Sequence, residues 1–492
     1  MLKLECDPLV LNALLKAFPK YTPQKAESKI EKYLKTLQKL MRRAKLNKPS
    51  KGSKKNNSYT LEATILWNKT GQLGTKKIRI HQWLMENRIP LVINTSPNFR
   101  PTNELAVFKP TKYLTIRDES LLDKLRLMTV HERTEFLENP LNDDIEEIND
   151  YLKDFRSLGV KEQKEKYDLV KVDIPSIKNY LLKLSDGKVF IENSKQESDA
   201  DSSEYILRIA QLNNGLLPQL KEKSDFGRNY YKNLSVQNVS KRVREAFLGD
   251  CWEYDCKSCS ASWKMAFAQE WYNSKKRPSK TFDDSVCGLT LYLDYKSEFF
   301  DEVIDRTYLA QYPYSHEYKN GVIKQAMTAI GFGAKLTVGS YKAKDGETKF
   351  SSLFQVFDEN MILLRRFVDC VIVRQYCDEQ TILNKYIVDK FSSDESWLSE
   401  MEESRTRRKR KEYKASQQIS WLFQHAETLM MDIVRTEVKK LGKTVIANVH
   451  DAIVVRERLS ASEISKIQKR VRLLTNVFYF ALGEDKYYAS TD

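Results

Sequence analysis

Two acidic residues stand in surroundings where a carboxylate is costly. Asp255 closes the short strand-like stretch Trp252–Asp255 and is followed by the small polar run Cys256-Lys257-Ser258-Cys259-Ser260. Asp451 follows His450 within residues 444–455, TVIANVHDAIVV, where apolar residues flank the pair in a strand–turn–strand pattern. Acids so placed are costly unless they are paired or bind a cation. Brought together from distant sequence, two such carboxylates are what a two-metal phosphoryl-transfer site requires. Magnesium takes hard oxygen ligands and bridges carboxylates to substrate phosphates. One ion would activate a primer 3′-hydroxyl and the other would stabilise the leaving pyrophosphate. Taken alone, the pair is a weak signal, and the plainer reading is two unrelated turn acids.

A third segment lies between them, NGVIKQAMTAIGFGAKLT at 320–337. Lys324, Thr328 and Phe332 recur every fourth residue, so on a helix they project from one face. Lys324 is then placed to meet a triphosphate and Phe332 to pack on a base or sugar. Gly331 and Gly333 permit close approach and end the helix. The plainer reading is an amphipathic helix that stops at glycine.

The elements that must position these residues are legible in outline. Residues 1–45 read as helical, with Leu34, Leu37, Leu40 and Met41 at helical spacing. A Lys-rich polar loop follows at 46–58. Between 33 and 61 there are nine Lys or Arg and no acid, a run expected to face phosphate or to be disordered. Residues 59–115 mix strand-like and short helical pieces, and an acidic helical stretch follows around Asp143–Asp150. The polar segment Asn193–Glu204 is expected to be a flexible linker. A second basic run, Arg405–Lys411, precedes a long amphipathic helix at 415–440. A further helix is expected at Ala461–Thr475, followed by a terminal aromatic segment.

Composition bounds the function. The chain has 492 residues, 82 basic against 67 acidic, for a net charge of +15. That balance suits an anionic partner, nucleic acid being the commonest. No stretch approaches the ~18 apolar residues of a membrane helix, and the N-terminus is a poor secretion leader. Seven cysteines suit a reduced, intracellular setting, so a cytoplasmic protein is expected; the short chain, without a recognisable nuclease motif, suits a bacterial, phage or plasmid context. Cys251, Cys256 and Cys259 lie close together, but no second cysteine or histidine pair completes a zinc site.

Taken in order, these segments resemble the family A, DNA polymerase I-like polymerases, with features of the related bacteriophage-type single-subunit RNA polymerases. The resemblance spans roughly residues 225–490. Asp255 falls at the motif A acid; Lys324, Phe332 and Gly333 at the lysine, tyrosine and glycine of motif B; His450 and Asp451 at the motif C His-Asp. Upstream, GRNYYKNLSVQNVSKRVREAF at 227–247 is similar to the GR, QN and RIRxAF elements. By this likeness Arg228, Gln237, Asn238, Gln424 and His450 would contact the primer–template duplex. Asp255, Asp451 and the backbone carbonyl of Cys256 would hold two magnesium ions, with manganese as a substitute. Lys319, Lys324, Phe332, Gly333 and Ser260, with Thr328 on the same helix face, would bind the nucleoside triphosphate, and Lys324 would join Asp255 and Asp451 in catalysis.

The departures are specific. The motif B basic residue is Asn320 here, and the adjacent Lys319 is expected to stand in for it. Ala452 replaces the glutamate that usually follows His-Asp. Phe332 lacks the tyrosine hydroxyl. Ser260, five residues after Asp255, is small where the DNA enzymes carry a bulky gate against the ribose 2′-hydroxyl.

The resemblance implies an α+β right hand. The palm would comprise 206–270 and 415–492, the fingers 271–414, and a mixed α/β N-terminal domain, 1–205, would include thumb elements. No proofreading nuclease, primase or helicase motif is found in 1–205. The expected activity is DNA-templated DNA synthesis with weak sugar discrimination. The alternatives are a DNA-directed RNA polymerase or primase-like enzyme, and a non-catalytic nucleic-acid-binding protein on a decayed polymerase fold.

Overall fold

The computed structural model describes residues 2–46, 59–62, 65–66, 72–74, 77–94, 105–118, 120–139, 142–189, 193–223, 229–232, 234–274, 281–309, 312–342, 348–392, 394–407, 415–449 and 451–490. It mixes helix and strand, in agreement with an α+β class. The chain divides into two compact units. One comprises Met1–Glu222, Tyr230–Cys251 and Tyr487–Asp492; the other comprises Lys223–Asn229 and Trp252–Lys486. No helix among the described residues is long and apolar enough to cross a membrane.

The first unit opens on a strand, Leu2–Cys6, paired antiparallel with Leu114–Asp118. Two helices follow, Pro8–Ala17 and Pro23–Leu46. The second buries Ala26, Ile30, Tyr33, Leu37, Leu40 and Met41, the three-and-four spacing that makes one apolar stripe. That stripe packs in a core with Leu61, Trp83, Leu91 and Phe108.

Further along, Asn193–Leu212 is a continuous helix, and the linker expectation for Asn193–Glu204 is thereby corrected. Gln196, Asp199, Ala200 and Ser203 are buried at helical spacing, so this polar-looking stretch does present an inner face. Asp199 accepts from the Tyr180 hydroxyl and from Arg242 Nε, each at 3.0 Å, which satisfies a carboxylate that would otherwise be costly to bury.

The second unit is built around a four-stranded sheet in the order Val445–Val449, Ala452–Val455, Cys251–Cys256, Leu482–Tyr487. The Ala452–Val455 strand is buried throughout, and its two neighbours pair with it antiparallel. One side of this core is formed by the helix Ala415–Lys440, which contributes Trp421, Leu422, Phe423, Met430, Met431, Val434 and Val438. The helix Ala461–Thr475 adds Ile467 and Val471.

A second, largely helical core of this unit holds the helices Cys259–Asn273, Cys287–Asp294, Lys296–Thr307, His316–Gly331 and Val371–Phe391. The last of these is a central pillar. Its Glu379 carboxylate, buried, accepts from the backbone N–H groups of Gly288 and Leu289 and so caps the Cys287–Asp294 helix.

Candidate active site

The strand carrying Asp255 and the hairpin carrying Asp451 are direct neighbours. Trp252, Glu253, Tyr254 and Asp255 face Val455, Val454, Ile453 and Ala452. The backbone N–H of Cys256 donates to the carbonyl of Asp451 at 3.1 Å. Asp451 sits in the turn between Val449 and Ala452, and Asp255 is exposed at the strand's end. Two acids 196 positions apart in the chain are therefore backbone neighbours at one corner of the sheet. The strand is anchored behind them by Tyr254, which is fully buried. Its hydroxyl donates to Glu484 at 3.0 Å and accepts from the Leu459 N–H at 2.7 Å.

After Asp255 the chain turns sharply. Ser258 takes a left-handed conformation, with φ 48° and ψ 38°, and the helix Cys259–Asn273 begins at the next residue. The thiols of Cys256 and Cys259 are both buried. Their mutual hydrogen bond, then burial, then the nearby carboxylates of Glu427 and Asp451 hold the Cys259 thiol well above the ordinary range. A protonated thiol is a poor metal ligand. Among the described residues no three His, Cys, Asp or Glu side chains gather into a metal-holding group. The carboxylates of Asp255 and Asp451 offer hard oxygens, the donor type that magnesium takes.

The helix His316–Gly331 starts at Ser315, whose hydroxyl accepts from Tyr318 N–H, and Glu317 complements its first turn. Val322, Ile323, Ala326, Met327 and Ile330 form its buried stripe. Lys324 and Thr328 are exposed together on the opposite face, as the four-residue spacing requires. The Thr328 hydroxyl donates to the Lys324 carbonyl at 2.8 Å. Gly333 ends the helix in a left-handed conformation, φ 92°.

Several expected contacts are placed elsewhere. Lys319 lies over the Tyr308 ring, 5.5 Å from its centroid, and does not share the Lys324 face. Phe332 is partly buried and its ring meets Phe423 at 5.7 Å, so it packs on protein. Gln237 is buried in the first unit, and Asn238 Nδ2 donates to the Tyr231 carbonyl at 3.1 Å. Gln424 Nε2 donates to Ser420 Oγ at 3.2 Å, while its Oε1 is buried with no hydrogen bond. Ser260 lies partly buried in the first turn of the helix that follows Asp255. Arg228 and His450 lie outside the described residues, as do the basic loop at 47–58 and residues 408–411 of the second basic run.

One residue that sequence reasoning passed over belongs here. Lys296, at the start of the helix Lys296–Thr307, donates to Ser258 Oγ at 2.9 Å. Its ammonium also lies 5.4 Å from the Tyr292 ring centroid. Burial lowers its proton affinity first; Lys324 and Lys257 lower it further, while Asp255 opposes them. Lys296 is thus tied by its hydrogen bond to the turn that follows Asp255. In sequence only its place after the apolar run Leu289–Tyr292 sets it apart, a weak signal. Neither a protein-family model nor a curated protein sequence matches the chain.

Proposed function

We propose that this chain is a template-directed nucleic-acid polymerase of the right-hand type, a nucleotidyltransferase that copies DNA. In this reading the Asp255–Asp451 sheet is the palm, and the Lys324 helix belongs to the fingers. The observation that carries the reading is the pairing of the Asp255 strand with the Asp451 hairpin.

Two divalent ions, magnesium or manganese, would be held by Asp255, Asp451 and the Cys256 carbonyl, and would supply charge neutralisation and an activated 3′-oxygen. The chain's own contribution is positioning and electrostatics. Lys324 and Lys296 place positive charge where the triphosphate must lie. Their mutual repulsion is relieved when its negative charge arrives. Ser260 leaves open the space that a bulkier residue would close against a 2′-hydroxyl, so DNA synthesis with weak sugar discrimination is the product expected. The same small residue favours RNA synthesis as the second reading.

The test is incorporation on a primed DNA template, with magnesium and either deoxy- or ribonucleoside triphosphates. Extension with deoxynucleotides and measurable ribonucleotide insertion is expected. Asp451→Asn should reduce extension by at least about 10²-fold while primer–template binding persists. A protein that binds the template and inserts neither nucleotide would overturn the polymerase reading. Strict exclusion of ribonucleotides would overturn the open-gate argument, and extension with ribonucleotides alone would make RNA the product.

A further inference from the structure

Lys264 is a lysine with no exposure at all. It lies in the helix Cys259–Asn273, one turn beyond Ser260, and its helix neighbours Trp263 and Met265 belong to two apolar cores. Its Nζ donates to the backbone carbonyl of Gly331 and to Gln380 Oε1, the latter at 2.7 Å. Asn384 Nδ2 donates to the same Gly331 carbonyl at 3.4 Å. Gly331 is the last residue of the Lys324 helix. Gln380 and Asn384 lie on the pillar helix Val371–Phe391.

Burial lowers the Lys264 amine to about 7. Both of its acceptors favour the ammonium form, and one is a helix-terminal carbonyl, where the helix dipole adds negative potential. A buried lysine in a fold's interior is expensive, and apolar residues of similar size serve stability as well or better. Stability alone therefore does not account for it.

We propose that Lys264 is a positioning residue for the incoming nucleotide. It ties the C-terminus of the helix bearing Lys324 to the helix that follows Asp255. The face that would meet the triphosphate and the acid that would hold the metals are then set at a fixed separation through one buried ammonium. This inference rests on the polymerase reading above.

The experiment is steady-state single-nucleotide insertion by the full chain, with Lys264→Met, Gln380→Leu and Gln380→Glu. Methionine matches the lysine stem and removes the donor. In Lys264→Met the KM for nucleotide should rise about ten- to a hundredfold, the range for loss of a charge-assisted hydrogen bond. The Kd for primer–template should stay within about twofold, and Tm should fall by no more than the few degrees that an orphaned buried acceptor costs. Gln380→Leu should raise KM in the same direction. Gln380→Glu, which keeps an acceptor for the ammonium, should keep the wild-type KM. A wild-type KM in Lys264→Met, or equal KM values in the two Gln380 variants, would overturn the proposal and leave Lys264 a structural residue. If Lys264→Met does not fold, the Gln380 pair decides the matter. A wild type that inserts no nucleotide at all overturns the polymerase reading and takes this inference with it.

Discussion

On the polymerase reading, Gly483→Ala is expected to abolish most of the nucleotide insertion while leaving the fold intact. Gly483 lies in the strand Leu482–Tyr487, beside the Asp255 strand, and the Asp255 carboxylate rests over its backbone. A Cβ built on Gly483 would stand 2.2 Å from Asp255 Oδ1, 3.3 Å from its Cγ and 3.2 Å from Lys257 Cε. Ordinary contact begins near 3.4 Å, so the oxygen must move by more than 1 Å. Asp255 is exposed and has two side-chain torsions, so it moves by rotating outward. The conformational cost of that rotation is only about 0.5–1.5 kcal/mol. The functional cost is larger, because a displacement of about 1 Å at a reacting centre is worth on the order of 10²-fold in rate. Single-nucleotide extension with magnesium would give kcat, and a thermal melt would give Tm. The expected result is a fall in kcat of about 10²-fold or more with a Tm change of a few degrees at most. Gly483→Ala with wild-type kcat would refute the argument that the Asp255 carboxylate must occupy that space to act.

Two other perturbations test the energetics of the separate units. Gly321 is exposed in the interior of the Lys324 helix, and nothing lies within 4 Å of the position a Cβ would take. Gly321→Ala should therefore stabilise the second unit by about 0.5–1 kcal/mol through helix propensity; an unchanged or lowered Tm by calorimetry would count against it. In the first unit, His81 is buried, with Nδ1 at 2.9 Å from the Tyr33 hydroxyl, and burial lowers its imidazole from the ordinary 6.5 to about 4. Between those values the unfolded chain binds a proton that the folded chain does not, so stability rises with pH across this window. The contribution is full above pH ~6.5 and is lost as pH falls towards 4, about 3 kcal/mol in all at ~1.4 kcal/mol per tenfold change in proton affinity. Urea melts of wild type and His81→Leu at pH 7 and pH 4.5 should differ in their pH slopes by that order; parallel slopes would show that His81 is not held neutral.

What the sequence made legible and what it hid divide along a physical line. Apolar periodicity located the helices Ala415–Lys440 and Ala461–Thr475 at their full lengths, and the β-branched flanks of Asp451 marked its hairpin. These signals are local, because burial of one face repeats with the period of the element. The meeting of Asp255 with Asp451 is not local; it was reached only because both segments resemble motifs of one family. Lys264, Lys296 and Gly483 carried no such mark. A lysine four residues after Ser260 reads as solvent-facing, and a glycine in a strand reads as a weak point. Their importance comes from a partner brought in by tertiary contact: a helix-end carbonyl for Lys264, the acid corner for Lys296, a carboxylate for Gly483. The stretch Asn193–Glu204 failed as a linker for the same reason. A reading by composition charges Asp199 the full desolvation cost of a buried carboxylate, whereas the fold offsets that cost with Tyr180 and Arg242. Polar residues that sequence reading assigns to the surface are thus the informative ones once they are found inside, since most buried polar groups have met a partner that offsets their burial. By that criterion Lys264, buried completely and bonded to the end of the helix that carries Lys324, is the residue whose removal tells most about how the site is held together.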